Sequence, residues 1–293
     1  MSQTTIQSDH VTATLDSKGA QLVSLQLNGT EYLWQRDERW WGRSAPILFP
    51  IVGVLKDDTA TSAQGDIHLT RHGFARDMEH ELVEKDKNMV HYRVISTPET
   101  REAFPYNWML EMTYEIVNGV FSQTYTVTNT GSVKLPFTLG GHPAFDVPVR
   151  KTDETFDDYE LKFSKPFDIK TVSINADGIH NFKKVVTLVE HSDTLPLSHD
   201  LFEKYLTLTF ESVPDSTVKL EGKKSQHGVE LHFEGFPYLG VWSAEHKAPF
   251  VAVEPWVGVA DCEDDDGVFE HKRGILTLDP RQKLSRTFTI RPF

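Results

Sequence analysis

Apolar and polar residues alternate with a period of two along much of the chain. Phe121, Tyr125 and Val127 fall on one face of a segment whose other face carries Ser122, Thr124, Thr126 and Thr128. Leu206, Leu208 and Phe210 alternate with Tyr205, Thr207 and Thr209, and Val229, Leu231 and Phe233 with Glu230, His232 and Glu234. Phe288 and Ile290 end the chain in the same way. Strict alternation is the mark of a half-buried strand. Leu25-Gln26-Leu27 followed by Asn28-Gly29 and a run to Leu33 reads as a hairpin, because Asn-Gly tolerates the positive φ of a type I′ turn. Helix signals are few. Leu195 to Lys204 predicts one short helical turn, with Ser198 as a possible cap. No long 3.6-residue stripe, internal repeat, low-complexity segment or Pro/Gly/Ser linker interrupts the pattern. Many short strands separated by turns predict an all-β sandwich or barrel, read as one domain over residues 1–293.

Composition narrows this picture. An apolar share of 39% is ordinary for a soluble protein, and no apolar run approaches the ~20 residues of a membrane helix. The polar stretch Met1 to Val11 shows no signal-peptide core. The single cysteine, Cys262, excludes an internal disulfide and points to a reducing cytoplasm. A formal net charge of −13 argues against nucleic acid and anionic membranes as partners. It leaves room for a small anionic ligand held by a few local arginines.

Three segments depart from the strand-and-turn pattern: Arg71-His72-Gly73-Phe74-Ala75-Arg76, Gly140-Gly141-His142-Pro143-Ala144-Phe145 and Glu254-Pro255-Trp256. Phe250 to Val253 is apolar on both faces, so Glu254 sits at the end of a buried strand that Pro255 is expected to stop. A carboxylate there needs partners; it is either a functional group or a structural glutamate bonded to arginine or backbone N–H. His142, between a Gly-Gly pair and a proline, is either a site residue in a bend open to a ligand or a core histidine satisfied by a carbonyl. His72, flanked by Arg71 and Arg76, is either a site residue or a loop histidine. Among the tryptophans Trp40, Trp41, Trp108, Trp242 and Trp256, most are expected in the core; Trp256, beside Glu254, is the expected platform for a sugar ring. Ser198-His199-Asp200 is no triad, since consecutive side chains do not converge. The acidic run Asp261 to Gly267 matches a calcium loop poorly, with Cys262 and Arg273 at ligand positions, and reads as a solvated turn. No metal or cofactor motif is present, and neither is expected.

Taken together these segments resemble the galactose mutarotase-like superfamily, and within it the LacX-type branch of the aldose 1-epimerase family. The resemblance runs from about Leu15 to the C-terminus. Its carriers are Trp41-Gly42-Arg43-Ser44-Ala45-Pro46-Ile47-Leu48-Phe49-Pro50, His72 to Arg76, Gly140 to Phe145, Gly240-Val241-Trp242-Ser243 and Glu254-Pro255-Trp256, in this order. It implies a large antiparallel β-supersandwich with a cleft site. It also implies Glu254 as general base, His142 as general acid, His72 as a second site histidine that positions the sugar, and Arg43 as a ligand of sugar hydroxyls. The family's late substrate-binding aspartate has Asp200 as its best match, in a poorly matched context. The activity implied is exchange of the α and β anomers of an aldose by ring opening, without metal or redox cofactor. In that scheme Glu254 is expected to be ionised and to raise the pKa of His142. Arg43, Arg71 and Arg76 leave open a sugar phosphate as substrate, Arg76 matching an arginine of the hexose-6-phosphate mutarotases, or else pairing locally with Asp77 or Glu79. A non-catalytic sugar-binding protein is the remaining alternative.

Overall fold

A computed structural model describes residues 2–149 and 153–293. Its architecture is all-β, a β-supersandwich of stacked antiparallel sheets. The larger sheet has nine strands in the order His180–Pro196, Tyr159–Ile174, Thr217–Gly222, Gly228–His232, Lys283–Pro292, Val120–Asn129, Trp108–Val117, Met89–Ile95 and Glu81–Lys85. Val120–Asn129 alternates buried and half-buried residues along its whole length, as its sequence predicts. The outward threonines pair across strands, Thr124 with Thr287 at 2.8 Å and Thr126 with Ser285 at 2.8 Å. Such pairs stabilise a wet sheet face. The inward side chains Phe121, Tyr125, Phe288 and Ile290 are fully buried.

The second large sheet runs Thr207–Glu211, Tyr238–Trp242, Phe250–Val257, Leu139–Gly141 and Ile47–Leu48, with Ala144–Asp146 also paired to Phe250–Val257. It packs against the first sheet. The Tyr125 hydroxyl donates to the Gly140 carbonyl at 2.8 Å, and a Cβ on Gly141 would lie 2.7 Å from the Phe288 ring. Gly140 and Gly141 are therefore glycines because other side chains fill the space above them, whereas the sequence suggested room for a ligand. A four-stranded N-terminal sheet includes the predicted hairpin, with Asn28 and Gly29 both at positive φ between Leu22–Leu27 and Thr30–Glu31.

Several details differ from the sequence expectations. Leu206 does not join the strand Thr207–Glu211; it ends the helix His199–Tyr205 at φ 61. That helix is capped by Ser198, whose hydroxyl accepts from the Leu201 N–H at 3.3 Å. Thr209, on the expected wet face, is fully buried because the hairpin Tyr159–Ile174/His180–Pro196 lies over it. The acidic turn is not wholly solvated: Asp261 is buried in an ion pair with buried Lys272, and Cys262 is buried beside it. Among the described residues, no helix is long and apolar enough to cross a membrane.

Candidate active site

Phe250–Val257 is buried at all eight positions. The strand does not stop at Pro255: Glu254 pairs with Gly240, Pro255 with Leu239 and Trp256 with Tyr238. The opposite flank explains how a proline fits. There the neighbouring chain is broken into Leu139–Gly141 and Ala144–Asp146. The Val253 N–H reaches the Pro143 carbonyl at 3.0 Å across that flank. Backbone N–H groups on one flank recur every second residue, so the nitrogen of Pro255 faces the break, where no ladder partner demands a donor.

His142 occupies the same break. Its N–H donates to the Pro46 carbonyl at 3.1 Å, and its ring meets Glu254, with Nε2 3.2 Å from Oε1. Glu254 is 1% exposed and His142 7%. Side chains two apart share a strand face, so the Trp256 indole lies beside Glu254 and donates Nε1–H to Oε2 at 3.2 Å. Trp256 can lie flat there because Gly240 and Gly140 carry no side chain; a Cβ on Gly240 would fall 2.2 Å from the indole.

His72 is buried, not a surface loop residue. Its backbone is left-handed, at φ 67, a conformation that costs a non-glycine residue energy and is held by its surroundings. Its N–H donates to the Gly53 carbonyl at 2.7 Å, and the Gly53 N–H donates to Nδ1 at 3.0 Å. With Nδ1 accepting, the neutral ring carries its proton on Nε2. The ring stands edge-on to His142 at 5.6 Å. Trp41 stacks on His142 at 4.8 Å, and Trp242 meets it edge-on at 5.5 Å.

These groups line a cavity of about 340 Å³, together with Arg71, Arg76, His180 and the hairpin turn at Asn175 and Gly178. Small-molecule pockets run from roughly 300 to 1,000 Å³. Burial governs its electrostatics. It holds Glu254 well above the usual carboxylate range, against the opposing Trp256 hydrogen bond and the Arg71 charge. It pushes His142 down to about 3, with Arg76, Arg71 and Arg43 adding repulsion. His72 is also held well below the ordinary histidine value, first by burial and then by His142. The expectation of an ionised Glu254 raising His142 is thus corrected: His142 is held below its ordinary value and Glu254 above its own. Desolvation of both partners outweighs their attraction and disfavours the charged form of each. Among the described residues, no three His, Cys, Asp or Glu side chains converge as a metal site.

The remaining expected residues divide. Arg76 lines the cavity, and its Nε lies 3.6 Å from Asp77 Oδ2. Trp256 lines it too, though its ring is 4% exposed and largely packed between glycines. The more open tryptophans on the wall are Trp41 and Trp242, which the sequence did not single out. Arg43 lies in an adjoining depression and bonds Asp77 at 2.8 Å. Asp200 is not brought to the site: it is exposed on the first turn of the helix His199–Tyr205, outside the cavity wall. Arg71 and His180 stand on the wall instead.

Known proteins match this arrangement over almost its whole length. The aldose 1-epimerase family model matches residues 2–268. The chromosomal LacX protein of Lactococcus lactis subsp. lactis is 30% identical over 97% of both chains. A galactose mutarotase related enzyme from Lactobacillus acidophilus superposes with a TM-score of 0.92 at 29% identity, covering 100% of this chain and 97% of that one. A galactose mutarotase-like protein from Lactobacillus casei gives 0.91 at 32% identity, with 100% of each chain covered. With that family match and a LacX relative covering the chain nearly end to end, the chain belongs to the aldose 1-epimerase family and is an isomerase of the epimerase type.

Proposed function

We propose that this enzyme interconverts the α and β anomers of a hexose, with Glu254 and His142 as its acid–base pair. The observation that carries the reading is the 3.2 Å approach of His142 Nε2 to Glu254 Oε1 on the wall of a sugar-sized cavity. Ring opening removes the proton from O1–H, gives one to the ring oxygen and breaks the C1–O5 bond as the C1 carbonyl forms. Rotation about C1–C2 and the reverse transfers close the ring on the other face. One proton shared by the pair suffices. A sugar hydroxyl donating to Glu254 favours its carboxylate and places the proton on His142, so Glu254 takes the O1 proton and His142 supplies O5. After opening the proton is on Glu254, ready for closure.

His72 presents Nε2–H as a fixed donor for a sugar oxygen, its tautomer set by the Gly53 N–H. Trp41 and Trp242 offer aromatic surface to the C–H faces of the sugar. Arg76 is read as a ligand of substrate oxygens, and Trp256 as the group that orients Glu254. The core that supports them spans the chain from Ile6 to Ile290, which favours one catalytic domain.

Polarimetry of freshly dissolved α-galactose and α-glucose tests the reading. Wild type is expected to speed mutarotation well above the buffer rate. Glu254→Gln keeps the side-chain shape and should lose about 10²–10⁴-fold, the usual contribution of a proton-transfer group. A wild-type rate equal to the blank sinks free aldose as substrate. One observation favours a second reading, a hexose 6-phosphate. Arg71 and Arg76 both line the cavity, and among the described residues Arg71 has a backbone carbonyl, of Asp177, as its hydrogen-bond partner and no carboxylate. Anomer exchange seen by NMR on glucose 6-phosphate alone would select it. Binding without turnover on either sugar would leave a sugar-binding protein.

A further inference from the structure

We propose that Leu206 is a partition that confines the ligand to one sugar ring and keeps reducing disaccharides out. The inference rests on the cavity being a sugar site, as proposed above, and adds a limit on substrate size. In the sequence Leu206 alternates with Leu208 and Phe210, and a regular strand would bury all three on one face. Leu208 and Phe210 are buried in the core. Leu206 is turned away from them. Its backbone takes φ 61 and ψ −82 at the end of the helix His199–Tyr205, and its N–H donates to the Phe202 carbonyl at 2.9 Å. It is half-buried and, among the described residues, joins none of the apolar clusters that make up the core.

Left-handed backbone just past a helix is usually supplied by glycine. A leucine there is strained, and such strain is found most often at ligand sites. The turn places Leu206 between two hollows. It lines the catalytic cavity beside Thr207 and Trp242. It also lines a second depression of about 240 Å³, with Phe202, Glu203, Ser243 and Lys247. Leu206 is the one residue common to both walls. Its distance from the chemistry suits a stop. Glu254 pairs with Gly240, and Gly240 with Thr209. The strand that Leu206 precedes is therefore two steps of about 4.8 Å from the strand of Glu254. A sugar with O1 at Glu254 extends toward Leu206 with the carbons remote from C1, those bearing O4 and O6 among them. A second ring on either oxygen needs the space of the second depression. A branched apolar side chain in the way rejects that ring without offering it a hydrogen bond.

Polarimetry of freshly dissolved glucose, lactose and melibiose tests the partition, since the last two carry a second ring on O4 and on O6 of a reducing glucose. Wild type is expected to favour glucose by about tenfold or more in kcat/KM, the discrimination that one built-in clash supplies. Leu206→Ala and Leu206→Gly should bring at least one disaccharide within about threefold of glucose, and Leu206→Phe should widen the gap. Glycine also removes the positive-φ strain, so Leu206→Gly should melt no lower than wild type. A lower melting temperature with an unchanged disaccharide ratio makes Leu206 a packing residue and overturns the proposal. A wild type that turns over both disaccharides as readily as glucose overturns it too. Calorimetric binding of the same three sugars keeps the two readings apart. A Kd ratio that shifts on truncation, without wild-type turnover of any sugar, defeats the epimerase reading alone. Turnover of glucose with the same disaccharide ratio in wild type and Leu206→Ala defeats the partition alone. Glucose bound by neither wild type nor variants overturns the partition together with the free-aldose reading.

Discussion

Val120–Asn129 and Phe250–Val257 are both central antiparallel strands, yet they are built to opposite plans. The first is wet on one face and dry on the other, continuous on both flanks and filled with β-branched and aromatic residues. The second is dry on both faces, carries a proline and a carboxylate, and faces a broken neighbour. One strand holds the sheet together. The other tolerates irregularity because the break provides room for His142 opposite Glu254. The broken neighbour of the irregular strand lies against the regular one, through Gly140 and Tyr125, so the scaffold stiffens the site without supplying its chemistry.

Substitutions can break this division of labour. The largest effect on stability is expected at Phe121, fully buried and stacked on Tyr114 at 5.8 Å. Phe121→Ala should cost about 3–5 kcal/mol in denaturant unfolding, while the folded fraction keeps its kinetic constants. Loss of kcat in that fraction would show that scaffold and site are not separable. Gly240→Ala forces a methyl toward the Trp256 ring. It should cost about 1–3 kcal/mol by overpacking and, unlike Phe121→Ala, also lower kcat, because the indole that bonds Glu254 must move. The smallest expected effect is a flat pH response. His142 gains a second proton for the pair only as pH falls toward its depressed value of about 3. Glu254 gives up the last one only as pH rises through its elevated value. Between these limits the protonation of the pair is unchanged, so kcat should stay level as pH rises above the His142 value and fall only where Glu254 loses its proton. A histidine-like step near pH 6.5 would place His142 in a wetter setting than the structure gives it.

The regular strand was legible in the sequence, and so were the Asn28-Gly29 turn and the Ser198 cap, because each is decided by residues a few positions apart. Glu254, His142 and His72 stood out for the same local reason, unusual residues next to glycine or proline. What escaped depends on distant partners. Pro255 continues a strand because the chain at 139–146 breaks opposite it. Asp200 lies on the exposed side of its short helix, away from the cavity wall. His180 reaches the cavity because a hairpin more than thirty residues long folds over Thr209. The pKa shifts of Glu254 and His142 follow from burial depth, a property of the folded stack that residue type does not reveal.

The two-way clamp between His72 and Gly53 has a mechanical consequence. Both backbone groups of the clamp are used, the imidazole is locked in one tautomer, and the amide of Val253 is bonded next to Glu254 in the interior of the sheet. Backbone so bonded opens rarely and belongs to the slowly exchanging part of a protein. The donors around the cavity therefore form a stationary frame. In the proposed anomer exchange, the rotation about C1–C2 would be carried out by the ligand, and the work of the surrounding chain would be to stay still while it turns.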